Sequence, residues 1–334
     1  MSLTKLDALL LFFCIFLPVP CTIAQEQVAI IRHPHSIDVL IGGKPFTTYY
    51  FGPQEAKPYL QPLRTAHGTI LTRGFPVGNE IPRAHWHDPN IEPHQRPMYF
   101  AHGDIDGFTF WAEKVFARFY GHEAERYGRT VFERLDAAKS GRHSGAIRAR
   151  FNLVAPDDHL LGEETQSYVF QGGPDRRIID CEFIIYASHG PIRMGDTKEG
   201  TFAIRVTKQL DSPPGHMISS NGGVGEPEIW GKRAAWVDYY GQVNGEEAGI
   251  AIFDSPHSFR HPTYWHARAY GLFAANPFGL REFTHNPSDD GSYTIPAGKS
   301  LVFRYRVFIH HGDYRQAGVA KAYQEYVASE RAVP

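Results

Sequence analysis

Four stretches of this chain gather side chains able to do chemistry. The richest in imidazole is RAHWHDPNIEPHQRPMYFAHGD, residues 83–104, where His85, His87, His94 and His102 accompany Trp86, Tyr99 and Phe100. Helical zinc sites use histidines four apart, but His85 and His87 are separated by one residue and Pro82, Pro89 and Pro93 surround them, which excludes a helix. An extended backbone would put both rings on one face of a strand, so a metal held by His85, His87 and His94 (or His102) stays open beside the expectation of no cofactor. Proton transfer needs only one imidazole of near-neutral pKa beside a substrate. His102 and Asp104 follow a strand expected to end at Phe100, and Gly103 and Gly107 let backbone approach a ligand closely, so this segment is the better pocket wall.

The other three stretches add cations, carboxylates and rings. Residues 49–76 offer Lys57, Tyr59, Arg64, His67 and Arg73 in proline-fixed loops. In GDTKEGTFAIRV, Lys198 and Glu199 enter a strand side by side and would face opposite surfaces, so no ion pair between them is expected. NGGVGEPEIWGKRAAWVDYYG supplies Asn221, Glu226, Glu228, Trp230, Lys232, Arg233 and Trp236, a set suited to sugars, which stack on rings and offer hydroxyls to charged groups. Both tryptophans equally suit a core. Residues 253–279, FDSPHSFRHPTYWHARAYGLFAANPFG, crowd His257, Arg260, His261, Trp265, His266, Arg268 and Tyr270 into what reads as a long irregular loop. Ordering such a loop costs entropy, which asks for a functional cause.

The elements that must position these groups read as strands. VAIIRHPHSIDVLIGG, GAIRARFNLVA, SYVFQGGPDRRIIDCEFIIYA, GTFAIRVTKQL, EAGIAIFDS and KSLVFRYRVFIHHG alternate apolar and polar residues between turn formers. Gly42 and Gly43 mark a hairpin. One amphipathic helix is expected from Asp313 to about Arg331, with Ala317, Val319, Ala320, Tyr323, Tyr326 and Val327 on one face. The expected fold class is all-β, two large stacked antiparallel sheets in one domain closed by that C-terminal helix.

A net charge of -2, from 34 basic and 36 acidic residues, argues against a nucleic-acid partner. Residues 1–24, an apolar run behind Lys5 that ends in small residues before Gln25, read as an export signal; the mature chain, residues 25–334, would be periplasmic or secreted. No later segment approaches the roughly 20 apolar residues of a membrane span. Cys14 and Cys21 fall in the leader, leaving Cys181 without a disulfide partner and expected as a buried, inert thiol.

KPYLQPLRT with TRGFP, FAHGDIDGFTFW, GDTKEGTFAIRV, WGKRAAWVDYYG and above all RHPTYWHARAYGLFAANPFG resemble the PmoA-like family of bacterial proteins, from about Asp38 to Tyr326. That family's compact HPHHRGLWFAHGD-type motif is longer here, with Gln95 where a second adjacent histidine would stand. The family name implies methane mono-oxygenation, which belongs to a protein with many membrane-spanning helices, and this sequence offers none beyond its leader. YTIPAGKSLVFRYRVFIHHGD is similar in layout to the last strands of galactose-mutarotase-like proteins. That likeness implies a supersandwich with a sugar pocket on its concave sheet, where a histidine acts as acid and a carboxylate as base.

The reading these residues favour is an exported carbohydrate-active protein that binds and transforms a sugar by epimerisation, elimination or glycoside cleavage. His102 and His266 would move protons with Glu199 as carboxylate partner. Arg64, Arg73, Lys198 and Arg233 would hold hydroxyls or a uronate, and Trp265 and Tyr270 would stack on the ring. Lys57, Tyr59, Asp104, Asn221, Trp230, His261 and Asn276 would complete the binding surface. The alternatives are a non-catalytic sugar-binding module and a histidine-ligated, metal-dependent oxidoreductase.

Overall fold

In the computed structural model, which describes residues 25–74, 94–114 and 126–331, the described strands form two eight-stranded antiparallel sheets and a two-stranded ribbon. The first sheet runs β1 (Val28–Arg32), β2 (Ser36–Ile41), β3 (Lys44–Tyr50), β4 (Tyr59–Gln61), β5 (Met98–His102), β11 (Gly200–Arg205), β16 (Leu272–Asn276), β15 (Tyr264–Ala267). The second runs β12 (His216–Ser219), β13 (Trp236–Val243), β14 (Glu246–Asp254), β18 (Ser300–His311), β9 (Arg176–Tyr186), β8 (Leu160–Gly173), β7 (Gly145–Val154), β6 (Arg129–Lys139). The ribbon pairs β10 (Ile192–Met194) with β17 (Tyr293–Ile295). The fold is therefore all-β, as the alternation requires.

Alternation decides which side of each strand becomes core. In β7, β8, β9 and β18 every second side chain is buried over most of the strand. Inward rings of the second sheet meet those of the first: Phe183 lies 4.3 Å from Phe100, Tyr305 4.9 Å from Phe202, Tyr239 of β13 4.5 Å from Phe273 and Tyr168 5.3 Å from Tyr49. One apolar core is thus shared by both sheets, and Cys181 is buried in it as a free thiol. A polar chain also crosses it. Gln166 donates to Glu164 at 2.6 Å and accepts from the hydroxyls of Tyr49 and Tyr168 at 2.8 and 2.7 Å.

Gly42 and Gly43 make the expected turn between β2 and β3, with φ of +60° and +75°, where a Cβ would strain the backbone. Two expectations are corrected. Residues 253–279 are not an irregular loop: β15 and β16 form a hairpin within them. Both faces of these strands are buried, so one face carries polar and small residues and the apolar alternation is masked. The C-terminal helix, α3 (Val319–Arg331), begins later than expected. Asp313 instead closes a turn, accepting from the backbone N–H groups of Arg315 and Gln316, and Gly318 turns at φ +64° before the helix. Val319 and Tyr326 are buried against Phe253 and Phe308 of the second sheet's outer face, whereas Ala320 is exposed. Two short helices precede it, α1 (Glu226–Ile229) and α2 (Leu280–Thr284).

Candidate functional site

The outer face of the first sheet carries an unusual row. Strand register places Tyr50, Tyr59, Tyr99, Ala203, Ala274 and His266 side by side across β3, β4, β5, β11, β16 and β15. Three phenol rings occupy one end and an imidazole the other. Between them the floor is alanine, and at the usual strand spacing Tyr99 and His266 stand about 14 Å apart along it. Ala101 extends the small floor, and Trp111, Leu272 and Tyr270 pack against it.

Around the rings sits a buried charged network. Arg96 grips Glu113 with two hydrogen bonds of 2.8 and 2.6 Å, reaches Glu55 at 3.2 Å, and lies 4.6 Å over the Tyr59 ring. Lys57, fully buried, pairs with Glu113 at 2.9 Å, donates to the carbonyl of Trp111 and sits 4.9 Å over Tyr99. Burial raises the Glu113 carboxyl, yet Arg96 and Lys57 together hold it below the ordinary carboxylate range. Arg205 donates to Gln95 at 2.5 Å and lies 4.4 Å over Tyr270. Arg268 meets Glu226 at 3.2 Å from the hairpin turn.

Burial, and then the charges of Glu199 and the hydroxyl of Tyr270, push the Tyr99 hydroxyl well above its ordinary value, so it remains a neutral donor. Among the described residues that hydroxyl, fully buried, has no hydrogen-bond partner, and neither has the indole N–H of Trp111, whose ring is 4.9 Å away. Orphaned buried donors are rare because each forfeits about 1–3 kcal/mol of hydration. Two on neighbouring rings mark this end of the row.

His266 marks the other end. Its Nδ1 lies 2.8 Å from the carbonyl oxygen of Lys198, which can only accept, so Nδ1 carries the proton and Nε2 keeps its lone pair. Burial, followed by the positive charge of Arg268, pulls its pKa down to about 3. The neutral ring is fixed as an acceptor. Glu199 and Lys198 enter β11 just beyond it; Lys198 pairs with Glu282 at 2.8 Å and also approaches Glu199 at 3.8 Å, a contact that alternation alone did not anticipate.

Of the expected site residues, the structure brings Lys57, Tyr59, Lys198, Glu199, His266 and Tyr270 to this face. Arg64 is near Tyr50 at its margin, and Arg73 pairs with Asp211 beside Arg205 at 3.5 Å. Others fall elsewhere. His102 occupies the register position opposite Gly200 and points, with Phe100 and Phe202, into the interior. There it donates from Nε2 to the carbonyl of Gly195 at 2.9 Å and packs 4.8 Å from Phe278. Asp104 caps the neighbouring turn and faces Arg193. Trp265 alternates with His266 and is therefore sealed in the core, its indole donating to the carbonyl of Ala234 at 2.9 Å, so it cannot stack on a ligand.

Asn276 spends both amide atoms on backbone, donating to Thr197 and accepting from Phe278. Asn221 and Arg233 tie the β12–β13 connection to the residue 260–262 turn, Trp230 packs on Phe283, and His261 is bound to buried Asp254 at 2.8 Å. His85 and His87 lie outside the described residues, as do residues 1–24. His94 is described: burial, then the nearby Lys57, depress its pKa to about 3, and its ring sits 6.4 Å from Trp111.

Sequence reasoning missed Tyr99, Trp111, Glu113, Arg96, Gln95 and Arg205. A signal did exist. In TFAIR and MYFAH the positions alternating with core residues are Ala203, Arg205, Tyr99 and Ala101, the composition of a second buried face.

No curated protein matches the sequence. Among solved structures, the chain is similar to a galactose mutarotase-like protein from Clostridium acetobutylicum, at 9% identity and TM-score 0.42, covering 86% of this chain and 99% of that one. A galactose mutarotase-like protein from Lactobacillus casei gives 9% and 0.37, covering 85% and 100%. The alpha-galactosidase from Lactobacillus brevis gives 8% and 0.38, covering 86% of this chain and 40% of that one, so the match spans less than half of that enzyme. Residues 36–324, most of this chain, match one family, and the chain belongs to it: the family of unknown function DUF6807.

Proposed function

We propose that the outer face of the first sheet binds a sugar across the Ala203–Ala274 floor and transforms it by acid–base chemistry. The orphaned Tyr99 hydroxyl carries this reading: a fully buried donor beside the orphaned indole N–H of Trp111, flanked by rings and cations, suits a ligand rich in hydroxyls. Tyr270, half-buried, offers a ring face, and Arg205 and Lys198 offer charge to hydroxyls or a carboxylate. His266, neutral with Nε2 bare, serves as proton acceptor once a bound anionic sugar offsets the burial and the Arg268 charge that hold its pKa at about 3 in the free protein, and Glu199 is the carboxylate partner. Epimerisation and elimination need such an acceptor together with a proton donor, and glycoside cleavage uses a pair of carboxyl groups. The apolar leader at residues 1–24 supports an exported protein, and membership of the PmoA-like group rests on the motifs quoted above.

Tyr99→Phe separates ligand binding from folding. Removing an unpaired buried hydroxyl should stabilise the free protein by about 1–3 kcal/mol, while sugar affinity, measured by calorimetry against a panel of neutral and uronic oligosaccharides, should fall about tenfold. Unchanged affinity in the variant, or no binding of any panel member by the wild type, would overturn the proposal.

A further inference from the structure

Away from that face, where the turn after β4 reaches the ends of β14 and β18, three potential metal ligands from distant parts of the chain converge. Glu246 opens β14 and His311 closes β18; because Ala248 pairs with His311, Glu246 is its diagonal neighbour across the two strands. His67 comes over from the first sheet, on the turn closed by the Arg64–Ile70 bridge. A single oxygen, Oε1 of Glu246, lies 3.1 Å from Nδ1 of His67 and 3.8 Å from Nδ1 of His311. The two rings stand 5.5 Å apart at 81°, and the three ligand atoms lie within 4.8 Å of one another.

Of the two imidazole nitrogens aimed at this carboxylate oxygen, only that of His67 is within hydrogen-bond reach, so a hydrogen bond does not account for the approach of His311. For a cation the three side chains form a three-ligand set. Zinc with ligands at about 2.0–2.2 Å in tetrahedral array spaces them about 3.3 Å apart, inside the observed range. The carboxylate is held ready, because Thr65 donates its hydroxyl to Oε2 at 3.0 Å while accepting the backbone N–H groups of His67 and Thr69. The outer nitrogen of His67 faces Asp175 at 3.8 Å, the usual place for a carboxylate that orients a ligating ring. Both imidazoles are about half exposed, at 49% and 53%, so they can close by small rotations and leave a coordination position to solvent.

We propose that His67, Glu246 and His311 bind a divalent transition cation, with zinc as the probe of choice, and that the ion clamps the loop after β4 to the second sheet. The proposal is independent of the sugar reading. Calorimetric titration of the chelator-stripped full chain with Zn²⁺ should show one equivalent bound and a higher melting temperature. His311→Gln and Glu246→Gln should weaken that binding at least tenfold, and His67→Gln with His311→Gln should remove both the binding and the thermal shift. His67 and His311 are at the surface, and Glu246→Gln, though only 11% exposed, leaves an amide oxygen that can still accept from Thr65, so the variants should fold. A variant lacking His85 and His87 should retain the site. Wild-type affinity in the His67/His311 double variant, or no zinc binding by the wild type, overturns the assignment.

Discussion

His102 and His266 are buried on the same sheet, with pKa values depressed to about 4 and about 3, first of all by desolvation. Each donates one ring N–H to a backbone carbonyl. They differ in the face they occupy. His102 has the parity of Phe100 and Phe202 and is closed in by the Phe278 ring, while His266 has the parity of Ala203 and Ala274 and presents Nε2 to the row that ends in Tyr99. Similar burial and titration therefore describe a packing residue in one case and a candidate base in the other. The interior keeps its Glu164–Gln166–Tyr chain hydrogen-bonded but leaves Nδ1 of His102 unpartnered, while on the outer face, among the described residues, the Tyr99 hydroxyl and the Trp111 indole N–H have no hydrogen-bond partner.

The sharpest way to break this comparison is to delete each imidazole. His266→Ala should lower turnover of a bound sugar by about 10²–10⁴-fold with little change in affinity, the usual worth of a general base. His102→Phe should leave turnover within a few-fold and change only the melting temperature. Equal losses from both variants would erase the distinction.

Next in size is the ion network beneath the rings. Glu113→Gln strands two buried cations, and urea unfolding should register a loss of about 3–5 kcal/mol. A loss below about 1 kcal/mol would show that this network is far better hydrated than its burial implies.

The interior chain is tested by pH. Burial pushes the Glu164 carboxyl up to about 8, so the folded protein holds a proton there that the unfolded chain releases above its ordinary carboxylate pKa of about 4.5. Stability should then fall as pH rises from about 4.5 to 8, by at most a few kcal/mol, and Glu164→Gln should flatten that slope. The three depressed histidines, His94, His102 and His266, act oppositely: the unfolded chain takes up protons first, so their part of the stability is lost as pH falls from about 6.5 toward 3. A wild-type profile flat from pH 5 to 8 would place Glu164 in contact with water. The smallest effect is expected at the exposed Arg129–Asp158 pair, where Arg129→Ala should cost less than about 1 kcal/mol.

Much of the scaffold is readable directly from the chain because strands buried on one side write themselves as alternation, and paired glycines at 42 and 43 announce a left-handed turn. The β15–β16 hairpin escaped for the converse reason: with both faces covered, its polar and small residues look like loop composition. Trp265 and Asn276 drew attention by residue type, yet backbone groups far away in sequence satisfy them. Arg96 and Glu113 flank β5, and only folding shows that they grip one another.

By itself the sequence determined the all-β class and the C-terminal amphipathic helix, since these follow from local periodicity and composition. Tertiary structure alone decided which histidine faces the alanine floor and which lies in the core. A one-residue difference in strand parity reverses the face a side chain occupies, and register is fixed by pairing with strands about 100 residues away, such as β5 with β11, where Phe100 faces Phe202.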